Sequence, residues 1–312
     1  MAAVRVIDAH HHVWDLQVRD QDWITGPDMA AIRRNFCVDD LRPSAQAAGV
    51  VATVVVQTVT AAAETPELLR LAAGDPLVAG VVGWADLSSA AVAEELAELQ
   101  AGIGGDYLVG IRHQVQSEPD PDWLRRPDVI RGLRAVAGAG LCYDLVVRPH
   151  QLAAASYAAA AVPGLMFVLD HAGKPPIASG DLAPWTAAIV EFAARPNTVC
   201  KLSGLVTEAA AGAAPQEFAP VGDVILSAFG PNRVMFGSDW PVCLLASDYA
   251  SVVALARTLV TGLSDAERTA VFAATAARVY GIPVPPPVAG EDQGSGGGLW
   301  RLPTRRSTRS SR

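Results

Sequence analysis

The chain has 312 residues, 51% hydrophobic and 18% charged, with a net charge of −8. A chain this acidic lacks the positive field that gathers nucleic acid or anionic lipid, so neither is expected as a partner. Its length and apolar content suffice for one large core.

Eight short runs rich in Val, Ile and Leu recur at residues 4–9, 52–57, 78–84, 108–111, 141–147, 165–169, 198–202 and 234–236. None shows the polar alternation of a half-exposed strand, which is how a parallel strand covered on both faces reads. Residues 15–36 form a long connection after the first run, read as a loop over one end of the fold and a candidate lid. Helical patterns occupy 39–48, 88–101, 151–161, 184–194, 215–229, 248–260 and 265–280. Two more are opened by Thr65-Pro66-Glu67, with Thr65 as N-cap, and by Arg126-Pro127-Asp128. The apolar stretch 152–169 is cut by Pro163-Gly164, so it predicts helix, turn and strand rather than a membrane span.

Strand and helix thus alternate eight times, which predicts an α/β fold, a TIM (β/α)8 barrel over residues 1–282. No G-x-G-x-x-G follows the first strand and no P-loop occurs, which disfavours a doubly wound sheet. Residues 283–312, with Pro285-Pro286-Pro287, a Gly/Ser run and five arginines, predict a disordered tail. Four scattered cysteines without a C-x-x-C pair suit a reduced compartment, and no signal-like apolar segment opens the chain. A cytoplasmic protein, monomeric or homo-oligomeric, is expected.

All six histidines fall at or just past the carboxyl end of an expected strand: His10, His11 and His12 after the first, His113, His150 and His171 after the fourth, fifth and sixth. In a parallel barrel those ends converge on one face. Side chains alternate along a strand, so His10 and His12 share a direction and His11 points into the helical layer. Two imidazoles facing the carboxylate of Asp239 at the end of the last strand make a donor set for one divalent ion, zinc or manganese, with His171 as a further candidate.

The run Ile7-Asp8-Ala9-His10-His11-His12-Val13-Trp14-Asp15 resembles the opening of the amidohydrolase superfamily, in its second major branch. Phe236-Gly237-Ser238-Asp239-Trp240-Pro241-Val242-Cys243 resembles the closing motif of the sugar lactonases in that branch. Gly110-Ile111-Arg112-His113, Arg148-Pro149-His150, Asp170-His171-Ala172-Gly173-Lys174-Pro175 and Cys200-Lys201-Leu202-Ser203-Gly204 follow in the same order. The resemblance implies water attack on a small-molecule lactone, with Asp239 as general base and His171, His113 and Arg112 as catalytic groups. Arg112 and His113 would hold the lactone carbonyl; a rim salt bridge is the other role open to Arg112. Substrate contacts would come from Trp240, Lys174, Trp23 and His150, of which His150 has a helix-capping role as alternative. Lys201 is left to pair with Asp239 or Asp170 or to face the cavity, and Asp170 reads as a structural carboxylate pointing away from His171. The resemblance also leaves the metal dispensable for turnover. Two rival readings are a zinc-dependent decarboxylase of the same superfamily and a non-catalytic small-ligand-binding barrel.

Overall fold

The structure, a computed structural model, describes residues 5–283. The expected tail lies, beyond Pro283, outside the described residues.

Eight parallel strands run in the order β1 (Val6–His11), β2 (Val50–Val56), β3 (Val78–Gly83), β4 (Leu108–His113), β5 (Cys142–Leu145), β6 (Phe167–Leu169), β7 (Thr198–Leu202) and β8 (Val234–Phe236). Beyond the strand ends, Asp239 N donates to His10 O at 2.8 Å and His12 N to Trp240 O at 2.7 Å, which brings β8 back against β1. Crossovers carry α1 (Val38–Ala47), α2 (Glu64–Gly74), α3 (Val92–Ala101), α4 (Pro127–Gly138), α5 (Leu152–Ala161), α6 (Ala183–Ala193) and α7 (Ala219–Phe229). After β8 come α8 (Tyr249–Leu259), α9 (Asp265–Thr269) and, past a π turn, α10 (Thr275–Tyr280). This is a TIM (β/α)8 barrel. Among the described residues no helix is long and apolar enough to cross a membrane, and all four cysteines are free.

The apolar runs are explained by two cores. One lies between strands and helices; the other fills the barrel with Ile7, Ala9, Val54, Val56, Val82, Val168, Val199 and Met235, closed below by Tyr280 and Ile282. Each strand therefore buries both faces, which removes the alternation that a half-exposed strand would show.

Local expectations failed where a polar side chain had a better partner than the helix end. Thr65 does not cap: α2 begins at Glu64, and Thr65 Oγ1 accepts from Trp84 N at 2.7 Å and donates to Trp84 O at 2.9 Å. The third helix starts at Val92 rather than 88, because Asp86 Oδ1 takes Ser88 N and Oγ into a turn. The last helix, expected unbroken over 265–280, is interrupted by the π turn Ala270–Ala274.

Candidate active site

The first strand carries the site through an irregularity. Ile7 and Ala9 face the barrel interior, while Asp8 points outward and its Oδ2 accepts from Tyr249 Oη of α8 at 3.0 Å. Strict alternation would then send His10 outward beside Asp8. The β1–β2 register shifts between Asp8 and His11, and past that shift His10 and His12 face inward. His11 faces the β2 side, with its Nε2 3.0 Å from Thr53 Oγ1. Asp8 Oδ1 also accepts from Ser238 N at 2.8 Å, so it pins the end of β8 to β1.

The histidines converge on Asp239. Its Oδ1 lies 3.8 Å from His10 Nε2, 3.5 Å from His12 Nε2 and 3.9 Å from His171 Nε2, and all four side chains are buried. Asp239 (φ 58°) and His171 (φ 54°) both adopt left-handed backbone. Such conformations in non-glycine residues cost energy that the surrounding structure must supply, and they cluster at functional sites. The reversal at His171 lets Asp170 and His171, neighbours in sequence, both turn toward the barrel.

Below this group lies a charged layer that the sequence reading only partly anticipated. Asp170 faces inward: its Oδ2 accepts from Arg112 Nη1 at 3.0 Å, and its Oδ1 lies 3.0 Å from Lys201 Nζ and 3.3 Å from His10 Nδ1. Lys201 is fully buried, bonds Asp144 Oδ2 at 2.5 Å and does not reach Asp239 or the cavity. Tyr280 Oη donates to the same Asp144 oxygen at 2.8 Å. Arg112 Nη2 donates to Gln57 O, and Arg112 Nε is buried without a partner. Burial and the Lys201 cation hold the His10 imidazole well below its ordinary range. Burial brings His171 down to about 4, so both rings are neutral at neutral pH. Burial alone would raise Asp239, but the histidines around it, His171 foremost, hold its carboxyl below the usual range.

A cavity of about 700 Å³ opens above these groups, within the size range of small-molecule sites. His12, Arg112, His171 and Asp239 reach it, and Trp23, His113, Lys174, Gln114, Gln116 and Glu208 are among its walls. Lys174 Nζ pairs with Glu208 Oε1 at 2.8 Å. His113 spends both ring nitrogens on the wall: Trp84 Nε1 donates to Nδ1 at 3.0 Å, and Nε2 bonds Glu118 Oε1 at 2.6 Å. Its ring stacks on Trp123 at 4.3 Å, so no nitrogen is left for the lactone carbonyl assigned to it above.

Two expected substrate contacts lie elsewhere. Trp240 is buried against Phe36, edge to face at 5.2 Å, and does not line the cavity; aromatic packing under the first loop won over the sugar wall. His150 is exposed in the short 3-10 turn Pro149–Gln151, which leads into α5 and carries it outside the cavity. Its neighbour Gln151, not His150, closes that turn by accepting from Arg148 N at 2.9 Å. Residues 15–36, expected as a lid, contain a 3-10 helix at Pro27–Ile32 and bring Asp22, Trp23 and Met29 to the cavity.

Glu208, Glu118, Ser203 and Asp144 were not singled out from sequence. A signal existed for Asp144, a lone carboxylate inside the apolar run 141–147, facing Lys201 inside the run 198–202. Ser203, whose Oγ lies 3.0 Å from His171 Nδ1, ends the Cys200-Lys201-Leu202-Ser203 run.

One glycine is required for the convergence. A Cβ on Gly237 would lie 2.7 Å from His10 Cβ. Gly237→Ala is therefore expected to push β8 off β1, lowering the thermal midpoint by several degrees and activity at least ten-fold, within the roughly 1–3 kcal/mol cost of overpacking. A variant with the parent's melting point and rate would show that the two strands need not touch.

Similarity to known proteins agrees with this geometry. The sequence model of the family described as "Amidohydrolase" matches residues 7–282. The chain belongs to the amidohydrolase family. It is 41% identical over 297 residues to an L-fucono-1,5-lactonase of Burkholderia multivorans, covering 91% of this chain and 98% of that one. An L-fucono-1,5-lactonase of Burkholderia ambifaria is 39% identical over 78% of this chain and 82% of its own length. The crystal structure of an amidohydrolase from Burkholderia multivorans with bound zinc superposes with a TM-score of 0.85 at 41% identity, over 89% of this chain and all of that one.

The donor set fits a divalent ion on its own terms. His12 Nδ1 donates to Val56 O at 2.7 Å, which leaves Nε2 bare and aimed at the site. His10 Nε2 lies 3.1 Å from it, close to the roughly 3.3 Å between two ligand nitrogens around tetrahedral zinc. Asp239 supplies a carboxylate oxygen within reach of both.

Proposed function

We propose that the protein is a hydrolase that opens an aldonolactone, L-fucono-1,5-lactone first among them, by water attack at the ring carbonyl. The observation that carries this reading is the convergence of three imidazole Nε2 atoms on Asp239 Oδ1 at the floor of a polar-walled cavity. Identity of 41% over 91% of the chain to one L-fucono-1,5-lactonase and 39% over 78% of it to another supports it.

In this mechanism a water lies between Asp239 Oδ1 and the lactone carbonyl carbon. Asp239 accepts one proton as the water oxygen bonds to that carbon. Negative charge gathers on the former carbonyl oxygen, where the Arg112 guanidinium and His171 Nε2 stabilise it. The acyl–oxygen ring bond then breaks, and Asp239 returns its proton to the departing ring oxygen, giving the open hydroxy acid. When a divalent ion is held by His10, His12 and Asp239, it supplies Lewis-acid polarisation of the carbonyl. We assign that site to zinc or manganese and hold the ion dispensable, because a lactone is electrophilic enough for a carboxylate base and fixed cationic donors. Loss of all turnover on chelation, restored by either metal, would overturn this last point.

Lys174 and Glu208 offer a charged donor and an acceptor for ring hydroxyls. Lys174→Ala is expected to raise KM about ten-fold with kcat changed much less, since a hydrogen bond to a charged group is worth about 1.5–3 kcal/mol. Steady-state kinetics showing an unchanged KM would remove Lys174 from the substrate.

A pH-indicator screen of L-fucono, L-rhamnono, D-galactono and D-arabinono lactones, run alongside aromatic acids assayed for carbon dioxide, tests the function. Acid release from one or more lactones is expected. Carbon dioxide release without lactone opening would establish the decarboxylase reading, and neither activity would leave a binding barrel.

A further inference from the structure

We infer that His10 works in two tautomers, and that Lys201 and Asp170 are positioning residues that each stabilise one of them. The inference rests on the site taking a divalent ion, though not on which lactone is opened.

His12 fixes the position of the first hydrogen. Val56 O can only accept, so the 2.7 Å contact requires a hydrogen on His12 Nδ1, and a neutral ring then has a bare lone pair at Nε2. That lone pair lies 3.1 Å from His10 Nε2. Two bare nitrogens at this separation repel, so without an ion the contact is favourable only when His10 Nε2 carries the hydrogen. His10 Nδ1 is then an acceptor, and Lys201 Nζ lies 3.1 Å away to donate to it. Arg112 Nη1, which gives one hydrogen to Asp170 Oδ2 at 3.0 Å, also lies 3.4 Å from the same Nε2, a longer and weaker contact than the 3.1 Å one to His12.

An ion held by both rings demands the opposite arrangement, with both Nε2 atoms bare. The His10 hydrogen must then sit on Nδ1. Asp170 Oδ1 is 3.3 Å from Nδ1, buried, and without a hydrogen-bond partner, so it is free to accept. Lys201 keeps its bond to Asp144 and its ion pair with Asp170. The number of protons on His10 is the same in both forms; only the nitrogen that carries the hydrogen changes.

A histidine serving only as a ligand needs an acceptor alone behind its ring, as His12 has in Val56. His10 has an acceptor and a donor on the same nitrogen. The site therefore has a fully hydrogen-bonded form with the ion and another without it.

Nitrogen NMR of the full chain with 15N-labelled imidazoles, without and with one equivalent of Zn²⁺, reads the tautomers directly; a His10→Gln spectrum assigns the signals. His10 is expected as the Nε2–H form in the metal-free protein and as the Nδ1–H form with zinc, while His12 stays Nδ1–H throughout. A metal-free His10 already carrying Nδ1–H, or a His12 protonated on both nitrogens, would overturn the inference. Zinc bound with the His10 hydrogen still on Nε2 would overturn it too. Absence of zinc binding to the wild-type chain overturns instead the reading of the site on which it rests. Asp170→Asn adds a second readout: zinc affinity, measured by competition with a chromophoric chelator, should fall about 10–100-fold, while the metal-free tautomer is unchanged. Undiminished affinity would remove Asp170 from its part, and the wild-type spectra decide the matter if this variant does not fold.

Discussion

Asp239→Asn should lower kcat on L-fucono-1,5-lactone by about 10³-fold, with KM and melting temperature close to those of the parent. The size follows from removing a general base, a contribution of roughly 10²–10⁴. The substitution is mild elsewhere for a backbone reason. Asp239 sits at φ 58°, and Asn is among the few residues that adopt this conformation readily. The backbone bond from Asp239 N to His10 O at 2.8 Å is also untouched. A variant that turns over at the parent rate would remove Asp239 from the chemistry and revive a barrel whose site only binds.

Lys201→Met should destabilise the fold by about 3–5 kcal/mol, the cost of removing one partner from a buried ion pair. Lys201 is the only lysine in the charged layer, and it stands between Asp144 and Asp170, all three fully buried. Burial raises the Asp144 carboxyl in spite of the ammonium beside it, so without Lys201 its charge loses the partner that offsets burial. Asp170 differs because Arg112 still pairs with it. The loss should therefore be partly restored in a Lys201→Met, Asp144→Leu double variant, where neither charge is left. Urea midpoints for the parent, the single and the double variant measure this. An unchanged midpoint for the single variant would contradict the ion-pair account.

The barrel was legible because its strands are buried on both faces, and continuous Val/Ile/Leu runs record that condition whatever the details of packing. What could not be read was the geometry of individual strand ends. Alternation grouped His10 with His12, and the structure puts both inside, but by way of a register shift after Asp8 that the pattern does not encode. On β6, Val168 faces the barrel interior, so Asp170 follows it inward by simple alternation, and it is His171 that the left-handed turn brings back to the same side. Trp240 and His150 sit in motifs next to the site, yet motif membership does not give side-chain direction: one packs on Phe36 and the other faces solvent. Lys201 was ambiguous because its partner Asp144 is 57 residues away in sequence, and only the β5–β6–β7 order brings them to one layer.

Central to the proposed chemistry is attack of water on the lactone carbonyl carbon with cleavage of the acyl–oxygen ring bond. Hydrolysis of L-fucono-1,5-lactone in ¹⁸O-labelled water, analysed by mass spectrometry of the acid product, tests it most directly. One labelled oxygen in the carboxylate, formed faster than in the enzyme-free control, is the predicted result. Label in the released hydroxyl, or no acid above the control, would contradict it.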